Sequence, residues 1–266
     1  MSCPDCTSGN FLPGEPTGVL STQGAYLAAG ATQPSKRAVI LLTDVFGLPL
    51  NNCKIIADHF AKELDCDVWT VDYFAGRPIM PLTKLKAMER AGGHLSTWDW
   101  IRFFLFDLLP HIPAFFASRP SVADARILEF IKVIRKEKKY EKIGAVGYCY
   151  GGSAAFRIGV TDHVQSIVIF HPGPFTVDFA KTIKAPAFWG CAQEDQFVSQ
   201  KLIDETEAMY AARKGTDSFI DYAFKIYKGT LHGFAIRPDL TKPLVKEAYE
   251  AALVDAISWF NKTLVV

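Results

Sequence analysis

From residue 37 to the C-terminus, short runs of β-branched and aromatic residues alternate with longer stretches of helical periodicity. The run RAVILLTDV (37–45) is apolar at consecutive positions, as a strand covered on both faces must be. NNCKIIADHFAKEL (51–64) follows with apolar residues three and four apart and an asparagine near its start. CDVWTVDYF (66–74), KIGAVGY (142–148), VQSIVIFHPG (164–173), APAFWGCAQ (185–193) and IDYAFKIYKG (220–229) read as further strands. The intervening helices are SVADARILEFIKVIRKEK (121–138) with Ser121 as a cap, YGGSAAFRIGV (150–160), SQKLIDETEAMYAARKG (199–215) ending on Gly215, and TKPLVKEAYEAALVDAISWFNKTL (241–264). An opening hairpin is expected over GVLSTQGAYLAAG (18–30). Strands joined in this way pair as a mainly parallel sheet flanked by helices on both faces, an α/β protein. Such sheets bind ligands outside the carboxyl ends of their strands, so the chemistry belongs in the turns that follow strands.

The remaining features bound the function. A length of 266 residues suits an N-terminal extension over 1–17 and a single α/β domain over 18–266, with an inserted segment at about 75–120 that interrupts the alternation. The net charge is +1, and the densest basic stretch, KVIRKEKKYEK (132–142), alternates with Glu and apolar residues as the wet face of a helix does. No nucleic-acid partner is expected. The most apolar long segment (98–116) is broken by Arg102, Asp107, Pro110, His111 and Pro113, which argues against a membrane span. The N-terminus shows neither a basic region nor an apolar core of a secretory signal, so a reducing cytoplasmic location is expected. Cys53, Cys66, Cys149 and Cys191 are scattered singly. Cys3 and Cys6 form a C-x-x-C pair that is incidental, weakly redox-active, metal-binding or disulfide-bonded. No second Cys/His pair completes a zinc site, and neither a metal nor an organic cofactor is expected.

Three turns carry chemistry. Gly147-Tyr148-Cys149-Tyr150-Gly151 has the form of a strand-to-helix nucleophile turn with a thiol in place of the usual serine hydroxyl. Small neighbours permit the sharp turn, and the helix N-terminus favours a thiolate. The alternative is a buried, inert cysteine. Asp195, just past the strand that ends near Gly190, is placed to orient a histidine; the adjacent Glu194 is a substitute. His232 follows the last strand and is the natural general base near neutral pH. His171, also at a strand end, comes too early for the chain order nucleophile, acid, histidine, and is assigned to the pocket. Each residue alone has an ordinary structural explanation. Cys149, Asp195 and His232 in that order, each after a strand, are together read as a catalytic triad.

These residues, with LLTDVFGL, VDYFAG, GYCYGG, EDQFV and HGFAIR occurring in order over roughly 18–262, resemble the dienelactone hydrolases, cysteine members of the α/β-hydrolase superfamily. The resemblance implies an α/β-hydrolase fold, a Cys149–His232–Asp195 triad and an oxyanion hole from the backbone N–H groups of Tyr150 and Val45. It assigns the loop carboxylate that gates the nucleophile in bacterial lactonases to Asp44, one methylene shorter than the usual Glu. It also offers Arg237 as the arginine after the histidine that holds a substrate carboxylate, although it lies five residues on rather than four. Tyr73 and Phe234, within the shared motifs, join the expected pocket.

The implied activity is hydrolysis of a lactone or activated ester through a thioester. A lyase or isomerase on the same site, or a non-catalytic small-molecule binder, are the competing readings. The inserted segment crowds Trp98, Trp100, Phe103, Phe104, Phe106, Phe115 and Phe116 together. It reads either as a lid, with Trp98 at the pocket and an apolar or aromatic substrate beneath, or as a face packed on the core or on the second subunit of a homodimer.

Overall fold

The computed structural model describes residues 9–85, 98, 101, 105–106 and 109–266. Strands β1 (Val19–Leu20) and β2 (Tyr26–Ala28) form the expected hairpin. They are followed by β3 (Arg37–Leu42), β4 (Asp67–Thr70), β5 (Lys142–Tyr148), β6 (Ser166–Phe170), β7 (Ala187–Glu194) and β8 (Tyr222–Leu231). The described residues build one sheet in the order β1-β2-β4-β3-β5-β6-β7-β8. β2 runs antiparallel to β4, and every pairing from β4 to β8 is parallel. The helices are α1 (Asn51–Leu64), α2 (Ile112–Ala117), α3 (Pro120–Lys138), α4 (Tyr150–Ile158), α5 (Gln200–Ala211) and α6 (Pro243–Thr263).

The two-residue period of a strand divides the core into two layers. Ala38, Ile40 and Leu42 of β3 face Ile127, Ile131 and Ile134 of α3, Phe156 of α4 and Tyr210 of α5. Val39 and Leu41 face Ile56 and Phe60 of α1 and Ala256 and Phe260 of α6. Burial on both faces is why β3 reads as an unbroken apolar run.

Three departures of element boundaries from expectation bear on the helix ends and the site. α3 starts at Pro120 after Arg119, so Ser121 lies inside the first turn and does not cap it. Proline suits that first position because its missing N–H would have had no helical partner. α5 closes at Ala211, and Gly215, with φ +81°, sits in the turn beyond rather than at the helix end. β8 continues to Leu231, which delivers His232 directly from the strand end. Residues 9–12 also pack on the body: Asn52 of α1 accepts from the Leu12 N–H (2.9 Å) and donates to the Asn10 carbonyl (2.8 Å). Cys3, Cys6, Trp100, Phe103 and Phe104 lie outside the described residues. No helix among the described residues is long and apolar enough to cross a membrane.

Candidate active site

Cys149 stands between β5 and α4, in the left-hand half of conformational space at φ +55°. For a residue with a Cβ this is a strained backbone, held by its surroundings. The surroundings demand glycine. A Cβ on Gly147 would lie 2.0 Å from the Gly151 carbonyl oxygen, and one on Gly151 would lie 2.2 Å from that of Leu42. The Cys149 N–H donates to the Phe170 carbonyl (3.2 Å), which ties the turn to the end of β6. Gly151→Ala must push α4 off β3 and is expected to cost about 3 kcal/mol or more. Urea denaturation measures this; a loss under 1 kcal/mol would contradict the packing described.

Asp195 and His232 meet across the ends of β7 and β8. His232 Nδ1 lies 2.8 Å from Asp195 Oδ2, with both side chains fully buried. The second carboxylate oxygen accepts from the Phe197 N–H at 2.9 Å. A carboxylate only accepts, so Nδ1 carries the proton of this bond and Nε2 is left as the basic nitrogen. Glu194, the adjacent rival, is exposed at the end of β7.

A cavity of about 140 Å³ is lined by Cys149, Tyr150, Val45, Phe197 and, from the inserted segment, Ile79 and Phe115. The Phe197 ring stands edge-on to His232 with centroids 5.2 Å apart, so the imidazole packs against one of the residues that line the cavity. The backbone N–H groups of Val45 and Tyr150 donate to nothing among the described residues. For Tyr150 the reason is its place as first residue of α4, where a helix leaves its N–H groups unused. Burial pushes the Tyr150 phenol up to about 12, so it stays protonated and donates to the Ser118 carbonyl (2.5 Å).

The other expected residues take varied places. His171 is buried, with its ring centroid 5.1 Å from that of His232 and 5.5 Å from that of Phe234, and neither His171 nor Phe234 lines the cavity. Tyr73 does not line the cavity but stacks on Tyr150, centroids 5.9 Å apart. Trp98 is 65% exposed. Asp44 and Arg237 are both wholly buried and joined as an ion pair, and the second Asp44 oxygen accepts from the Phe46 N–H. Ser153 and Arg157 of α4 also line the cavity and escaped the sequence reading. Their signal was present, because four-residue steps from Cys149 trace one helix face. Among the described residues no three His, Cys, Asp or Glu side chains converge as a metal site.

A family model described as the dienelactone hydrolase family matches residues 116–264. The chain is 27% identical over 262 residues to a protein named hydrolase pyvD from Aspergillus violaceofuscus, covering 97% of this chain and 96% of that one. It is 28% identical over 266 residues to hydrolase tropI from Talaromyces stipitatus, covering 98% and 96%. A dienelactone hydrolase crystal structure from Anabaena variabilis superposes with a TM-score of 0.56 at 13% identity, over 94% of this chain and 98% of that one. With the strand order, the turn at Cys149 and the family match in agreement, the chain belongs to the dienelactone hydrolase family, ester and lactone hydrolases of the α/β-hydrolase fold.

Proposed function

We propose that the protein hydrolyses lactones or activated esters by acyl transfer to Cys149, with His232 as general base and acid and Asp195 holding its tautomer. The observation that carries this reading is the buried 2.8 Å contact between Asp195 and His232, whose imidazole packs against Phe197, a residue that lines the same cavity as Cys149. In the first half-reaction the Cys149 thiol proton passes to His232 Nε2, and the sulfur adds to the substrate carbonyl. The N–H groups of Val45 and Tyr150 take the developing oxyanion, each worth about 3–4 kcal/mol in a comparable site. Collapse breaks the C–O bond of the leaving group, whose oxygen takes the proton back from His232 Nε2, and leaves a thioester. In the second half-reaction His232 draws a proton from water, whose oxygen attacks the thioester carbonyl; the C–S bond then breaks, the acid is released, and the sulfur takes the proton from His232 to regenerate the thiol. A reducing, cytoplasmic setting suits this thiol.

Sulfur constrains the substrate. A thiolate is itself a good leaving group, so a tetrahedral intermediate that must expel an ordinary alkoxide reverts instead. Lactones that release a stabilised enolate escape this, and so do esters of acidic alcohols. Aromatic and aliphatic lining suits an apolar acyl body. For lactones matched in shape, kcat/KM is expected to rise steeply as leaving-group pKa falls, with products heavier than substrate by one water. A flat dependence would remove the reason for a cysteine, and products of unchanged mass would replace hydrolysis with isomerisation.

A further inference from the structure

Cys149, Ser153 and Arg157 stand four residues apart, and all three line the cavity. Ser153 is buried, and its Oγ has no hydrogen-bond partner among the described residues. A helical serine commonly returns its proton to the carbonyl four residues back. Here that carbonyl, of Cys149, already accepts from the N–H groups of Ser153 (3.2 Å) and Gly173 (2.9 Å). A buried hydroxyl left this way at a cavity wall implies a partner supplied from the cavity.

Arg157 provides the charge. Its Nε and Nη2 are held by Asp124 at 2.7 and 2.9 Å, which fixes the guanidinium plane, while Nη1 makes no hydrogen bond among the described residues. The pair is largely shielded from solvent, with side chains 16% and 20% exposed. Arg126, on the same helix as Asp124, donates to the Tyr73 carbonyl at 3.0 Å. Arg126 is thus anchored on backbone, and Arg157 is the guanidinium that lines the cavity. Arg237, the arginine expected to hold an acidic substrate group, is buried against Asp44 and does not reach the cavity.

We propose that Ser153 and Arg157 form an oxyanion subsite for the acyl part of the substrate, which carries a carboxylate or equivalent acidic oxygen on the side away from the carbonyl that Cys149 attacks. This rests on Cys149 as nucleophile. Eight residues of helix correspond to about 12 Å along the axis, and helical side chains lean back toward the N-terminus. The guanidinium thus stands within reach of an acyl group of modest length seated at Cys149.

The test uses the full chain and p-nitrophenyl esters of a linear acyl series about four to ten carbons long. Each ester ends in a carboxylate, its methyl ester or a trimethylammonium group. The readout is the ratio of kcat/KM for the acid to that for its methyl ester, which a general loss of activity does not move. The expected ratio is about tenfold at the best length, with the ammonium form poorest. Arg157→Met should bring the ratio near one, and Ser153→Ala should reduce it severalfold. Asp124→Asn should raise it, because the competing carboxylate is gone; this variant and Ser153→Ala keep the test open if Arg157→Met does not fold. A thermal-shift titration with the free dicarboxylate reads the same subsite without turnover: the diacid should stabilise the protein where its dimethyl ester does not, and Arg157→Met should abolish the difference. A wild-type ratio of one or below, or a ratio indifferent to both Arg157→Met and Asp124→Asn, overturns the subsite. Cys149-independent turnover of the methyl ester would instead overturn the nucleophile.

Discussion

Cys149→Ala is expected to lower kcat on an activated ester by about 10⁴- to 10⁶-fold, the scale on which loss of a nucleophile acts in triad enzymes. The loss is expected to be this large because in the proposed mechanism the surrounding groups act through the sulfur. Without it, His232 has no thiol to deprotonate, and the unused N–H groups of Val45 and Tyr150 have no adduct to stabilise. The other described thiols cannot replace it: burial pushes Cys53, Cys66 and Cys191 each up to about 12, so they stay protonated at neutral pH. The substitution is conservative for the fold, since alanine keeps the Cβ and adds no bulk to the strained turn. Initial rates on a p-nitrophenyl ester, with unfolding monitored in parallel, check this. Retention of a tenth of the activity at unchanged stability would dismiss Cys149 as the nucleophile.

Arg237→Met is expected to destabilise the protein by about 3–5 kcal/mol. It strands the Asp44 carboxylate, wholly buried, without its cation. The double variant Asp44→Asn/Arg237→Met should recover a large part of the loss, because neither charge then remains in the interior. The pair joins two loops that the site needs. Asp44 accepts from the Phe46 N–H (3.0 Å) and its carbonyl from the Gly47 N–H (3.1 Å), which shapes the turn presenting Val45. Arg237 lies in the loop that leaves His232, over the Phe46 ring and against Gly233, where a Cβ would stand 2.6 Å from its Nη2. Chemical denaturation of the two single variants and the double variant measures the coupling. Additive losses, with no recovery in the double variant, would mean that the pair contributes no specific interaction.

The contrast between these two positions shows how far the chain could be read before it was seen folded. Strand and helix identities were legible because burial on two faces and burial on one stripe leave different periodicities in the apolar residues. Ends were less legible. Ser121 and Gly215 have good capping chemistry, but Pro120 and the turn after Ala212 decide where the helices stop. The turn at Cys149 was plain from Gly147, Gly151 and Gly152, since no other residue could sit so close to neighbouring backbone.

Local chemistry written in sequence thus determined the sheet, the strained thiol turn and the order of Cys149, Asp195 and His232. Only tertiary structure decided partners. Asp44 and Arg237, both expected at the substrate, turn to each other across 193 residues of chain, while Ser153 and Arg157, lost among helix-surface residues, face the cavity. The physical reason is that a charged or hydroxyl side chain has several chemically adequate partners. Desolvation then assigns it to whichever one the packed sheet and helices bring within about 3 Å.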